Sequence, residues 1–150
     1  MIIVGVDPGK ATGIAVWCDG CRMDHPTWPD CAEVEDATTV RAVLLRMLCE
    51  HGGLSPKLIA VERFVQDFRK TRQSTATEVT GQVGALAAEL GIKLLLQPPG
   101  PAKKIAPNPL LRRIGWYTAS RDQHANDATR HVLLALATFF PETFAKIAGV

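Results

Sequence analysis

Four side chains stand out by type and spacing: Asp7, Glu62, His124 and Asp127. Asp7 directly follows Ile2-Ile3-Val4-Gly5-Val6, and Glu62 directly follows Leu58-Ile59-Ala60-Val61. Both runs are short and apolar, as expected of strands buried on both faces. An ionised acid at the end of such a strand is costly unless paired, hydrogen-bonded or bound to a metal. His124 and Asp127 are three residues apart, so on a helix they share a face near its N-terminus. If the two strands are parallel neighbours, their carboxylates project into one crevice at the C-terminal ends. Two strand carboxylates with a helical His and Asp make a hard, oxygen-rich site suited to Mg²⁺ or Mn²⁺. Such a site can hold two ions roughly 4 Å apart, one activating water and one stabilising the leaving oxygen of a phosphodiester. Singly, each acid has a plainer reading. Asp7 could be a turn residue before Pro8-Gly9, Glu62 a partner of Arg63 or Lys57, and Asp127 an exposed helix position. The joint order of strand Asp, strand Glu and helical His-x-x-Asp favours chemistry.

The elements that must position these groups can be read along the chain. Ile2–Val6 is the first strand, and Thr12–Trp17 the second. An Asp19-Gly20 turn then leads to a third strand around Arg22–Met23. The acidic, Pro-containing stretch 24–35 reads as loop. Asp36 caps a helix through Val40, Val43, Leu44, Met47 and Leu48, ended by Gly52-Gly53. The strand 57–62 follows, then a helix from Thr75 to Leu90 opened by a Thr75-x-x-Glu78 capping box and closed by Gly91. Ile92–Leu96 is a further strand, stopped by Pro98-Pro99. Residues 100–119 read as a Pro-rich segment with one helix over 109–114. The last helix runs from Ser120, through a Ser120-x-x-Gln123 box, to Phe140; Ala128, Val132, Ala135, Leu136 and Phe139 form its sheet-packing face. Together these predict one α/β domain over residues 1–150, with three antiparallel strands, then parallel strands, and helices on both faces.

The chain has 150 residues, 47% hydrophobic and 21% charged, with a formal charge of only +2. No apolar run approaches the roughly 18 residues of a membrane helix, and no secretory signal opens the chain, so a soluble, cytoplasmic protein is expected. The small total hides an uneven distribution. Residues 19–36 carry six acids against Arg22 alone. Residues 63–73 carry Arg63, Arg69, Lys70 and Arg72 against Asp67, and 103–121 carry Lys103, Lys104, Arg112, Arg113 and Arg121 with no acid. Interleaved with Phe64, Phe68, Trp116 and Tyr117, these basic segments suit a surface that neutralises phosphates and stacks on bases. The competing reading is of solvated faces.

Cysteines stand at 18, 21, 31 and 49. In an intracellular chain they are expected as reduced thiols. Cys18 and Cys21, with His25 and Cys31, could be a zinc site, but the spacing matches no compact zinc module, and a hairpin about Asp19-Gly20 is preferred.

Three segments, GVDPGKATGIAV at 5–16, AVERF at 60–64 and HANDATRHVLLAL at 124–136, resemble the active-site motifs of RuvC-type Holliday-junction resolvases, which belong to the RNase H-like superfamily. The resemblance runs from Met1 to about Ala137. It implies an RNase H-like domain that hydrolyses phosphodiesters of branched DNA by a two-metal mechanism with Mg²⁺ or Mn²⁺, usually as a homodimer making paired nicks. It also implies a cytoplasmic setting in bacteria or a virus-infected host. Asp7, Glu62, His124 and Asp127 match the catalytic, metal-binding positions. Phe64, Phe68, Arg69, Lys70 and Arg72 resemble the loop inserted at the junction, and Lys103 and Lys104 the segment that grips phosphates. The chain departs from the family in the acidic loop 24–35 and in the Pro-rich 105–121. The small helix residues Gly81 and Gly84 suit either a dimer interface or close packing on the sheet.

Two other functions compete. The DPGKATG turn is shared with actin-like ATPases, but that fold needs two such subdomains, and Gly9-Lys10 lacks the spaced glycines of a P-loop. No nucleotide cofactor is therefore expected. A non-catalytic junction-binding protein would keep the basic segments but have no use for the acids.

Overall fold

The computed structural model describes residues 1–20, 29–51, 56–63, 74–119 and 123–150. Its strands are β1 (Ile2–Asp7), β2 (Thr12–Cys18), β3 (Asp30–Val34), β4 (Leu58–Glu62) and β5 (Lys93–Gln97). They form one sheet in the order β3-β2-β1-β4-β5. The β1–β2 and β2–β3 pairs are antiparallel, and β1–β4 and β4–β5 are parallel. The helices are α1 (Val40–Glu50), α2 (Ser74–Glu89), α3 (Pro99–Ile105), α4 (Asn108–Arg113), α5 (His124–Phe139) and α6 (Pro141–Ala148). The expected mixed sheet with helices on both faces is what the chain forms.

Alternation along the strands assigns the faces. Ile2, Val4 and Val6 of β1, Ile14 and Val16 of β2, and Ile59 and Val61 of β4 join a core with α1 and α2. Ile3, Ala15, Trp17, Leu58 and Ala60 point the other way, into a second core with Ala128, Val132, Ala135 and Leu136 of α5. By the same alternation Gly5, Asp7, Gly13 and Glu62 fall on the α5 face. This side of the sheet carries its smallest residues where α5 crosses. A Cβ on Gly13 would lie 2.0 Å from the His124 carbonyl oxygen, and one on Gly5 2.0 Å from that of Ala128. The helix therefore rests on bare backbone.

Several expected elements shift. The third strand is Asp30–Val34, inside the stretch read as loop. It is an edge strand with one fully buried residue, so its acids Asp30 and Glu33 are tolerated there and hide the pattern. Residues Arg22–Met23, where a strand was expected, lie outside the described residues, as do Gly52-Gly53 and Ser120. Asp36 does cap, but it caps a 3-10 turn (Ala37–Thr39) that runs into α1, accepting from the Thr38 N–H at 2.9 Å. Helix α2 already includes Ser74, which puts Thr75 inside the helix rather than at its cap. The segment after β5 holds two helices; prolines at the first or second position of α3 and α4 begin helices there instead of breaking them. Helix α5 starts at His124, because Gln123 is left-handed (φ 62°) and cannot continue a helix backwards to Ser120. Phe139 is not on the packed face but 40% exposed, with Lys93 Nζ 4.6 Å from its ring centroid.

The cysteines also depart from expectation. Cys18 is disulfide-bonded, where a reduced thiol was expected. It sits at the end of β2 beside the Asp19-Gly20 turn, with Gly20 at φ 78°. Its sulfur is thus no thiolate for zinc. Cys31 bonds the Thr129 hydroxyl at 3.4 Å, and burial pushes its thiol up to about 11, which keeps it protonated. Cys21 and His25 lie outside the described residues.

Candidate active site

The register brings the two strand acids together. Val6 of β1 is opposite Val61 of β4, so Asp7 and Glu62 follow side by side at the C-terminal edge. Both face α5, whose first turn supplies His124 and Asp127. His124 Nδ1 donates to Asp7 Oδ2 at 2.7 Å. Asp7 is buried, and burial is the main reason its carboxyl is pushed up to about 6; the charges of Glu62 and Asp127 push the same way, while His124 opposes them. Three carboxylates thus share one electrostatic neighbourhood, in which burial makes Asp7 costly to ionise.

The other two acids have partners that sequence reasoning missed. Glu62 Oε2 accepts from His131 Nε2 at 2.9 Å, and His131 Nδ1 meets the Gln97 side chain at 2.8 Å. Asp127 is paired with Arg130 one turn on, and Lys103 Nζ of α3 stands 3.5 Å from its second oxygen. Arg130 is itself buried, donating through Nε to the Ala106 carbonyl at 3.0 Å and through Nη2 to Asn108. It ties Asp127 to the α3–α4 connection. A signal was present in the sequence: Arg130 and His131 directly precede the apolar run Val132–Leu136 on the same helix, so each, if buried, must have a partner. Glu33 was also missed. Its carboxylate accepts from the Ala125 N–H at 3.1 Å, satisfying a donor in the first turn of α5.

The predicted phosphate-binding residues divide. Lys103 stands at the site, on the last turn of α3, with Lys104 exposed beside it on the same turn. Phe64, Phe68, Arg69, Lys70 and Arg72 lie outside the described residues. Two clefts open at the start of α5. One, of about 420 Å³, is lined by Lys103, Asn108, Gln123, Asp127 and Arg130 among others. The second, of about 400 Å³, is lined by Lys10, Ala11, Glu35 and His124.

The donor chemistry fits hard divalent cations: three carboxylates and an imidazole, with Asp7 buried at its centre. Among the described residues, no three His, Cys, Asp or Glu side chains stand as a ready-made coordination shell. Glu62 and Asp127 are instead engaged by His131, Arg130 and Lys103.

A mixed five-stranded sheet with helices on both faces and acids at the ends of its two central parallel strands is an RNase H-like fold. The chain is similar to the RuvC of Thermus thermophilus. It matches that protein's structure in complex with Holliday junction substrate at a TM-score of 0.68 and 18% identity, covering 99% of this chain and 96% of that one. A second Thermus thermophilus RuvC structure matches at a TM-score of 0.63 and 20% identity, with 99% and 97% covered. No protein-family model and no curated protein matches the sequence. Among the described residues, no helix is long and apolar enough to cross a membrane.

Proposed function

We propose that the chain is a RuvC-type, metal-dependent endodeoxyribonuclease that acts on branched DNA, resolving four-way junctions by paired nicks as a cytoplasmic homodimer. The observation that carries this is the convergence of Asp7, Glu62 and Asp127 on one electrostatic neighbourhood, with His124 bonded to Asp7, in a fold that matches RuvC over its whole length. Asp7, Glu62, His124 and Asp127 would hold Mg²⁺ or Mn²⁺, two ions per site. Bound, the ions would supply water activation and neutralise charge developing on the phosphodiester. The protein's own part is to hold the acids on a rigid sheet and helix, to keep Asp7 buried, and to bring Lys103 against the strand being cut.

The test is cleavage of a labelled four-way junction beside a linear duplex of the same length, with and without Mg²⁺. Mg²⁺-dependent cutting confined to the junction is expected, and absence of cutting on every branched substrate would sink the proposal. Light scattering should give twice the chain mass.

Lys103→Ala combined with Lys104→Ala should weaken junction binding. It should also flatten the plot of log affinity against log salt by about one unit of slope for each phosphate no longer neutralised. An unchanged slope would remove both lysines from the DNA surface.

A further inference from the structure

We infer that His131 is a positioning residue for Glu62, holding one carboxylate oxygen so that the other is presented to a divalent cation. This rests on the metal-dependent reading above. His131 is fully buried, on a stretch of α5 where its neighbours Val132, Leu133 and Leu136 are core residues. A leucine would pack there at lower desolvation cost, so the imidazole is retained against the ordinary preference of a core. Both of its nitrogens are used. A carboxylate and an amide oxygen can only accept, so Nε2–H donates to Glu62 Oε2 at 2.9 Å and Nδ1–H to Gln97 Oε1 at 2.8 Å.

Gln97 is held in turn. It is buried, lies opposite Glu62 in the β4–β5 register, and its carbonyl accepts from the Arg63 N–H at 2.6 Å. Sheet, ring and carboxylate thus form a chain of fixed contacts that ends on one oxygen of Glu62. Glu62 sits at the open edge of the sheet, with its side chain 20% exposed. Without the ring it could rotate toward solvent. Outer partners of this kind orient metal-binding carboxylates, and their loss weakens metal affinity about 10–100-fold.

The experiment is calorimetric titration of the metal-free protein with Mn²⁺, alongside thermal melts. It compares the unsubstituted chain with Glu62→Gln, His131→Phe, His131→Gln and Gln97→Leu. His131→Phe keeps an aromatic ring but no donor, and should weaken Mn²⁺ about 10–100-fold. His131→Gln places an amide N–H where Nε2 was and should recover most of that affinity. Gln97→Leu removes no hydrogen bond to Glu62 itself and should cost only severalfold. A purely structural role would lower the melting temperature of these variants while leaving the Mn²⁺ affinity of the folded protein unchanged. That result, or equal weakening in His131→Phe and His131→Gln, overturns the inference. If His131→Phe does not fold, Gln97→Leu decides, and wild-type affinity there overturns it. Absence of saturable Mn²⁺ binding by the unsubstituted chain, or binding that Glu62→Gln leaves unchanged, overturns the metal reading itself and the inference with it.

Discussion

Asp7→Asn is expected to lower Mg²⁺-dependent junction cleavage by at least about a thousandfold while making the metal-free protein more stable. The two effects share one cause. The Asp7 carboxyl is pushed up to about 6 from an ordinary 3.8, chiefly because burial penalises its charge. Below pH 4 the acid is protonated in both folded and unfolded chains, so it has no differential effect. Between pH 4 and 6 the folded chain binds the extra proton, and stability falls as pH rises through that window. Above pH 6 the penalty is complete, about 3 kcal/mol for a shift near two units.

Asn carries no charge and can still accept from His124, so the variant keeps the contact without the full penalty. Allowing about 1 kcal/mol for a weaker hydrogen bond, the net gain is about 2 kcal/mol, or 4–8 °C in melting temperature. Melts of metal-free protein from pH 4 to 8 check this. The wild-type and Asp7→Asn curves should meet near pH 4 and diverge until pH 6. Mg²⁺ or Mn²⁺ should then raise the melting temperature of the wild type and leave that of the variant unmoved. Curves that stay parallel across the range would show that Asp7 does not carry this burden.

Gly13→Ala is the second large effect, and it acts through the helix. The added methyl would meet the His124 carbonyl oxygen at 2.0 Å, its carbon at 2.3 Å and the Ala125 nitrogen at 2.9 Å. All three are backbone atoms, so no side chain can turn away. Either α5 lifts at its first turn or the β1–β2 hairpin distorts, and in both cases His124 leaves Asp7. A loss of about 4 kcal/mol or more is expected, together with cleavage. Gly81→Ala is the control: nothing lies within 4 Å of the added carbon in helix α2. Replacing a mid-helix glycine should there raise stability by about 0.5–1 kcal/mol. Thermal melts compare the two, and a Gly13→Ala protein as stable as wild type would show that the helix is not seated on β2.

The parts of this fold that show in the sequence are those that obey one local rule. Buried strands β1 and β4 are continuous apolar runs, and an acid at the end of each is anomalous enough to notice. Strand β3 was hidden because an edge strand need not be apolar, and Asp30 and Glu33 disguise it. Helix α4 was legible over 109–114, whereas α3 and α6 were hidden by Pro99 and Pro141, which read as breaks until their place in the first turn is known. The site divides in the same way. Asp7, Glu62, His124 and Asp127 could be found by type and spacing. Gln97 and His131 could not be joined to Glu62, because that contact depends on β5 lying beside β4 and on which way α5 is rotated. Arg130 likewise gains its meaning from Ala106 and Asn108, which only the folding of the α3–α4 connection brings near.

Gly5 and Gly13, one on each of two paired strands, have a further consequence for how chains of this fold can vary. With α5 pressed onto backbone at two points, it can neither slide nor roll without collision. His124, Asp127 and His131 then behave as marks on a ruler, about 10 Å from first to last at the helical rise. Inserting or deleting a single residue between them would rotate the later marks by about 100° and separate Glu62 or Asp7 from its partner. Sequence change is therefore best tolerated elsewhere, in the 8–11 turn or the α3–α4 connection. The bare backbone seat divides the chain into a part that is frozen and parts that are free to drift.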